Sequence, residues 1–369
     1  MEYKWNFFSK EFDEREGTRM NYKIKQKDAY WEVETEKAIS IEDCCYDITT
    51  DTFVIAVKHN KGGDYIVMDR EDKIVKTMSE GKGVNRKFVL APDKSVWVGM
   101  SSISTKKDGE IILPLYDRNR VEKEIVKTDL GVNYSFFWND SYWGYVNDMW
   151  GDKPDKLLQY QFDKKGLYKT RKAYKLDTLY NANPFVQEDN LYLCQNDYKN
   201  NTIQMFKMIE PGIIEKLCQP ISVGEISECR LINVDETGYK VFGIDCNEIV
   251  ILSIDNQGNL VNKSMVYCIN DEEIYSIMDF IVSDEGIVAF GYVSENMAGI
   301  IEINGTVAKE MLWQKDNILH CDDTEIETEN KFAFHIMSDG KVNYYVATNI
   351  DVREGKCRKI YFRKMDNLV

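Results

Sequence analysis

The chain has 369 residues, 43% of them hydrophobic, 12% aromatic and 30% charged, enough apolar material for a large core and too much for a disordered chain. Its net charge of −15 repels phosphate backbones and anionic lipid, so neither nucleic acid nor a membrane is an expected partner. Nine cysteines without a framework spacing read as reduced thiols, and the stretch from Met1 to Gly17 holds no apolar run of signal-peptide length, so a cytoplasmic protein is expected.

In chain order, residues 1–20 read as an N-terminal extension. From Asn21 to Thr35 the alternation of Tyr22 and Ile24, then Tyr30 and Val33, predicts an outer strand. A repeat begins after it. A short apolar run ends at a polar turn residue at Asp69, Asp117, Asp163, Glu210, Asp255, Asn304 and Asp366, spaced by 45 to 49 residues and by 62 at the last step. A second turn marker keeps the same beat at Asp51, Asp93, Asp140, Asp189, Asp235, Asp284 and Asp339. Each period therefore holds four strand-length segments, the arithmetic of a four-stranded propeller blade.

The predicted blades cover residues 46–78, 87–128, 134–176, 184–218, 230–269, 277–313 and 331–369. The last blade runs out of chain before its fourth strand. The segment 21–35 supplies it, which closes the ring and removes two unpaired edges. The expected fold class is all-β, a seven-bladed β-propeller in one domain over residues 21–369. On this repeat the chain resembles the propeller superfold, the architecture of WD-repeat proteins. A pair of β-sandwiches is the rival, weakened by the even beat through the middle of the chain.

No phosphate loop, dinucleotide fingerprint, zinc-protease helix, Cys-x-x-Cys or nucleophile elbow occurs, so binding is expected rather than catalysis, with no cofactor. The three histidines, His59, His320 and His335, fall in different blades, and no metal site is expected. If acid–base chemistry occurs, its candidates are Asp47, Asp279 and His335 on predicted innermost strands, with Arg230 and Asn233 one blade back.

Two further groups point to binding. Trp150 is predicted in the loop between the second and third strands of the third blade, beside Asp148, Asp152 and Asp155; an exposed indole among carboxylates suits a cation or a sugar. Loops joining one blade to the next carry most of the negative charge, concentrated in Asp271, Glu272 and Glu273 and in the insertion 314–331 with Asp322, Asp323 and Glu325.

The expected function is a non-catalytic interaction platform whose acidic loop face binds a basic or cation-bearing protein or peptide. The alternative is a carbohydrate-binding or carbohydrate-active propeller using its channel and Trp150. Neutralising the six acidic loop residues is expected to leave folding nearly intact.

Overall fold

The computed structural model describes residues 22–36, 39–47, 51–59, 62–69, 74–80, 84–90, 96–102, 111–116, 122–128, 134–147, 154–162, 168–269, 273–328, 332–338, 343–349 and 359–363. Every regular element among them is a strand. The N-terminal segment forms β1 (Tyr22–Gln26) and β2 (Tyr30–Thr35). Next come β3 (Ile39–Asp47), β4 (Thr52–His59), β5 (Gly62–Asp69) and β6 (Ile74–Glu80), then β7 (Val84–Leu90), β8 (Val96–Ser102), β9 (Ile111–Tyr116) and β10 (Glu122–Thr128). They are followed by β11 (Tyr134–Trp138), β12 (Ser141–Val146), β13 (Asp155–Phe162) and β14 (Tyr168–Leu176), then β15 (Ala182–Gln187), β16 (Asn190–Asp197), β17 (Thr202–Glu210), β18 (Ile213–Lys216) and β19 (Ile221–Ser222). Downstream lie β20 (Glu228–Asp235), β21 (Gly238–Asp245), β22 (Glu248–Asp255) and β23 (Leu260–Cys268), then β24 (Ser276–Val282), β25 (Val288–Val293), β26 (Met297–Asn304), β27 (Val307–Lys315), β28 (Ile318–Cys321) and β29 (Thr324–Glu327). The chain ends in β30 (Phe332–Ser338), β31 (Asn343–Asn349) and β32 (Lys359–Arg363).

These strands make seven sheets among the described residues. Six contain strands consecutive in sequence, each an antiparallel meander of four strands or of four with additions. The seventh has the order β1-β2-β32-β31-β30, so an N-terminal strand completes the C-terminal sheet, as the repeat demanded. Segment 21–35 is a hairpin rather than one strand, and β1 adds a fifth member outside β2.

Hairpin turns are set by side chains that tolerate a left-handed backbone. Asn139, Asp140, Glu188 and Asp189 have φ between 48° and 59° at two-residue connections, and Asp51, directly before β4, has φ 54°. Such turns match the strand twist, and Asn and Asp are the non-glycine residues best suited to them.

Burial follows position within a sheet. Among the second strands, β4 and β25 are buried on both faces, from Thr52 to Val57 and from Val288 to Tyr292, which is why they read as continuous apolar runs rather than alternations. Outermost β23 is mostly exposed. Each fully buried Ile, Leu or Phe on the inner strands contributes roughly 1.5–3 kcal/mol.

The chain divides into two compact units, one comprising Met1–Val89, Asp93–Lys127 and Tyr275–Val369, the other Leu90–Pro92 and Thr128–Ile274. In the first, Val33, Ile39, Phe53, Ile55, Met337, Val346 and Ile360 share one core, and Tyr30, Leu312, Leu319, Phe334 and Tyr361 another. In the second, Trp143, Tyr145, Leu157, Leu191 and Phe206 pack together, as do Cys194, Met205, Cys229, Val241 and Leu252.

The insertion 314–331 departs from its expected form as a loop. Its residues 318–327 are a hairpin that adds β28 and β29 to the outer edge of β27, making a six-stranded sheet. Trp313 pairs with His320, so β28 runs back along β27, and the Asp322–Asp323 turn lies part-way down the sheet, not at its loop end.

Candidate functional site

Each sheet has an end bearing the connection between its second and third strands and the connection to the next sheet; this is its loop end. In the second unit that end is built on a buried polar network. Asp155, the first residue of β13, is fully buried. Its carboxylate accepts the Tyr145 hydroxyl at 2.7 Å and the backbone N–H groups of Ala182 and Asn181 at 2.9 and 3.1 Å. Burial, reinforced by the Asp155 charge, pushes the Tyr145 hydroxyl well above the ordinary tyrosine range, so it remains a donor.

Around this anchor, asparagines tie sheet to sheet. Asn147 Nδ2 donates to the Ala182 carbonyl at 3.2 Å, and Asn183 and Asn196 both donate to the Cys229 carbonyl, at 3.0 and 3.2 Å. The Tyr134 hydroxyl donates to Asn183 Oδ1 at 2.6 Å. Arg230 lays its guanidinium over the Tyr134 ring, 5.8 Å from the centroid, and donates from Nε to Glu228 Oε1 at 2.6 Å. Burial alone lowers a guanidinium's pKa, but Glu228 beside it leaves Arg230 above its usual value and charged.

Above this floor the surface is acidic and aromatic. Asp177, Glu225 and Glu273 are exposed and have no ion-pair partner among the described residues. Tyr180 and Tyr198 stand in the connecting loops at the same end, 36% and 50% exposed. Although half of Tyr198 faces solvent, its hydroxyl is crowded enough that burial pushes it up to about 12. Carboxylates beside open tyrosine rings attract Lys and Arg both by charge and through the ring face.

In the first unit, Asp279 and His335 meet. Asp279 stands at an irregularity of innermost β24 and accepts the Ile336 N–H at 3.1 Å, with His335 Nδ1 3.5 Å from the same oxygen. His335 Nε2 is buried and has no hydrogen-bond partner. Asp47 is the last residue of β3, and its side chain lies outside the described residues. Trp150, Asp148, Asp152, Asp271 and Glu272 also lie outside them.

Asp155 was expected in an exposed loop, whereas its carboxylate is enclosed and held by three protein donors, so it has no face for a partner. Asp322 was expected to be a dispensable loop charge. It instead accepts Nη2 of buried Arg363 at 2.8 Å, with Lys309 at 3.5 Å, because the hairpin turn folds back onto the neighbouring sheet. Its neutralisation is therefore not structurally silent. Asp323 shares that turn and Glu325 lies on β29 facing His320 at 3.7 Å; both are exposed, but on the hairpin rather than among the loop-end connections.

Among the described residues no group of three or more His, Cys, Asp or Glu side chains is gathered as a metal ion requires. Sequence reasoning missed Tyr180 and Tyr198, single aromatics in loops that no periodicity marks. Arg230 was visible as a polar residue on an inner strand, the position where an apolar one is the rule.

No protein-family model matches the chain, and no curated protein is similar to it in sequence. Solved structures do match its fold. The Cps50 (Swd1) β-propeller domain from Myceliophteria thermophila superimposes with a TM-score of 0.50 at 10% identity, covering 89% of this chain and all of that one. BamB from Moraxella catarrhalis aligns over 94% of this chain and 95% of its own, at a TM-score of 0.45 and 10% identity. The fold is a β-propeller.

Proposed function

We propose that this protein is a non-catalytic propeller platform that binds a protein or peptide with a basic surface at the loop end of its second unit. The observation that carries the reading is the set of exposed, unpaired carboxylates Asp177, Glu225 and Glu273 in connections at the same loop end as the open rings of Tyr180 and Tyr198. The connection carrying Asp177 is held by the bonds of Asn181 and Ala182 to Asp155, and those carrying Glu225 and Glu273 by backbone bonds from Val223 to Asn201 and from Ile274 to Cys246, so little ordering entropy opposes binding. A net charge of −15 adds long-range attraction for a basic partner. A cytoplasmic location goes with this reading: the eight described cysteines carry free thiols, and no helix among the described residues is long and apolar enough to cross a membrane.

The test is fluorescence anisotropy with labelled synthetic peptides of equal length, one rich in Arg and Lys and one rich in Asp and Glu. The basic peptide is expected to bind, to lose affinity as salt rises, and to bind about tenfold more weakly to the triple variant D177N/E225Q/E273Q. Equal affinity for both peptides, or an unchanged affinity in the variant, refutes the reading.

A further inference from the structure

Strand edges that carry no partner are templates for further pairing, and most outer strands here are guarded against it. β1 covers β2 and carries Lys23 and Lys25. The hairpin covers β27 and ends on Glu325 and Glu327. β14 carries Lys169, Arg171, Lys172 and Lys175, β10 carries Glu122, Lys123, Glu124 and Lys127, and β6 carries Lys76 and Glu80. β18 stops after four residues, two of them charged.

β23 is the exception. It runs for nine residues, LVNKSMVYC, and among the described strands pairs with β22 alone. Its one charge, Lys263, is held by Asp245 at 2.5 Å. Val261, Met265 and Leu260 are 67%, 58% and 37% exposed. The apolar surface continues onto the next sheet of the same unit. There the segment after β18 packs on the β22–β23 turn, so closely that a Cβ at Gly258 would stand 2.7 Å from that of Cys218, and Ile209 and Ile213 are open beyond it. Among the described residues, five of the nine exposed large apolar side chains thus collect on these two outer edges, a concentration that single surface residues do not show.

We propose that β23 pairs antiparallel with β23 of a second copy of this chain, forming a two-fold dimer with one continuous sheet across the interface. The strand is its own best complement. Only the register centred on Ser264 uses all nine residues, and it sets Lys263 opposite Met265, Asn262 opposite Val266 and Leu260 opposite Cys268, so no like charges meet. The basic partner proposed above finds little here, since Asp245, the carboxylate that meets Lys263, is already paired. The acidic loop end stays free in the dimer.

The two surfaces respond oppositely to salt. Two copies at −15 repel each other, so screening tightens the dimer while it weakens the basic peptide's attachment.

The experiment is sedimentation velocity of the full chain over a concentration series at low and high salt, with the double variant V261K/M265K beside it. Both substituted side chains are exposed, so folding is not at risk. A concentration-dependent dimer that strengthens with salt, and that the double variant weakens by about tenfold or more, is the expected result. A wild-type monomer at every concentration, or a dimer indifferent to V261K/M265K, overturns the proposal. Register is read by mild oxidation: S264C faces itself across the two-fold axis and is expected to form an intermolecular disulfide in excess of wild type, whereas N262C is not. Equal crosslinking by S264C and N262C overturns the Ser264-centred pairing.

Discussion

Asp155 and Asp279, one in each unit, are two carboxylates with opposite surroundings. Asp155 is enclosed and receives a hydroxyl and two backbone N–H groups, all from the protein. Asp279 keeps 37% of its side chain open, receives one N–H, and stands beside an imidazole whose far nitrogen meets nothing. The first is an anchor: every group it touches loses its partner if it goes. The second has acceptor capacity left over, so it constrains the fold far less.

The sharpest way to break this contrast is Asp155→Ala. It orphans the buried Tyr145 hydroxyl and Ala182 N–H and the part-buried Asn181 N–H, and a loss of roughly 3–5 kcal/mol in chemical denaturation is expected. A loss below about 1 kcal/mol would make the two carboxylates equivalent. Tyr145→Phe removes one of those bonds and is expected to cost about 1–2 kcal/mol, since the ring still fills its place in the core.

Burial in the second unit also has a pH signature. It raises the Cys194 thiol to about 12. The folded chain then holds this proton more tightly than the unfolded chain. The associated stability is intact below about pH 9 and is lost as pH rises from there towards about 12. Urea midpoints measured from neutral to alkaline pH should fall in that window, and less steeply for Cys194→Ala. The smallest effect is expected at the other end of the comparison. His335→Phe exchanges a ring with an unpartnered buried nitrogen for an apolar one and should leave stability within about 1 kcal/mol of wild type; a larger loss would show that the Asp279–His335 contact holds the sheets as Asp155 does.

Much of the fold was legible because the turns are chemically marked. Asp51, Asp140 and Asp189 occupy left-handed positions that most residues avoid, and in the turns after Asp235 and Asp284 a glycine, Gly238 or Gly286, has the positive φ, so the sequence marks these hairpins. The β1–β2 hairpin escaped notice because its turn around Asp28 has neither Gly nor Asn. β28 and β29 were hidden by their charge. Cys-Asp-Asp-Thr-Glu reads as a solvated loop, although a two-residue turn between short alternating strands describes it better. Asp155 could not be read at all, because its role depends on Tyr145 and on the Asn181–Ala182 backbone, brought to it only by folding. At the loop end, the sign of the charge was visible in the sequence, but which carboxylates are open and which are paired is decided by partners distant along the chain.

The sheet of order β1-β2-β32-β31-β30 sets a timetable for synthesis. Tyr30 pairs with Arg363, a contact that spans nearly the whole chain. On the ribosome the β1–β2 hairpin emerges before the other described strands, and β2 waits for β32 while every other sheet can assemble. Closing that sheet is a contact of extreme sequence separation, and such contacts are slow to form. The apolar side chains of β2, Tyr30 and Val33 among them, stay uncovered for that interval, which makes the nascent β1–β2 hairpin the segment on which a chaperone has the longest time to act.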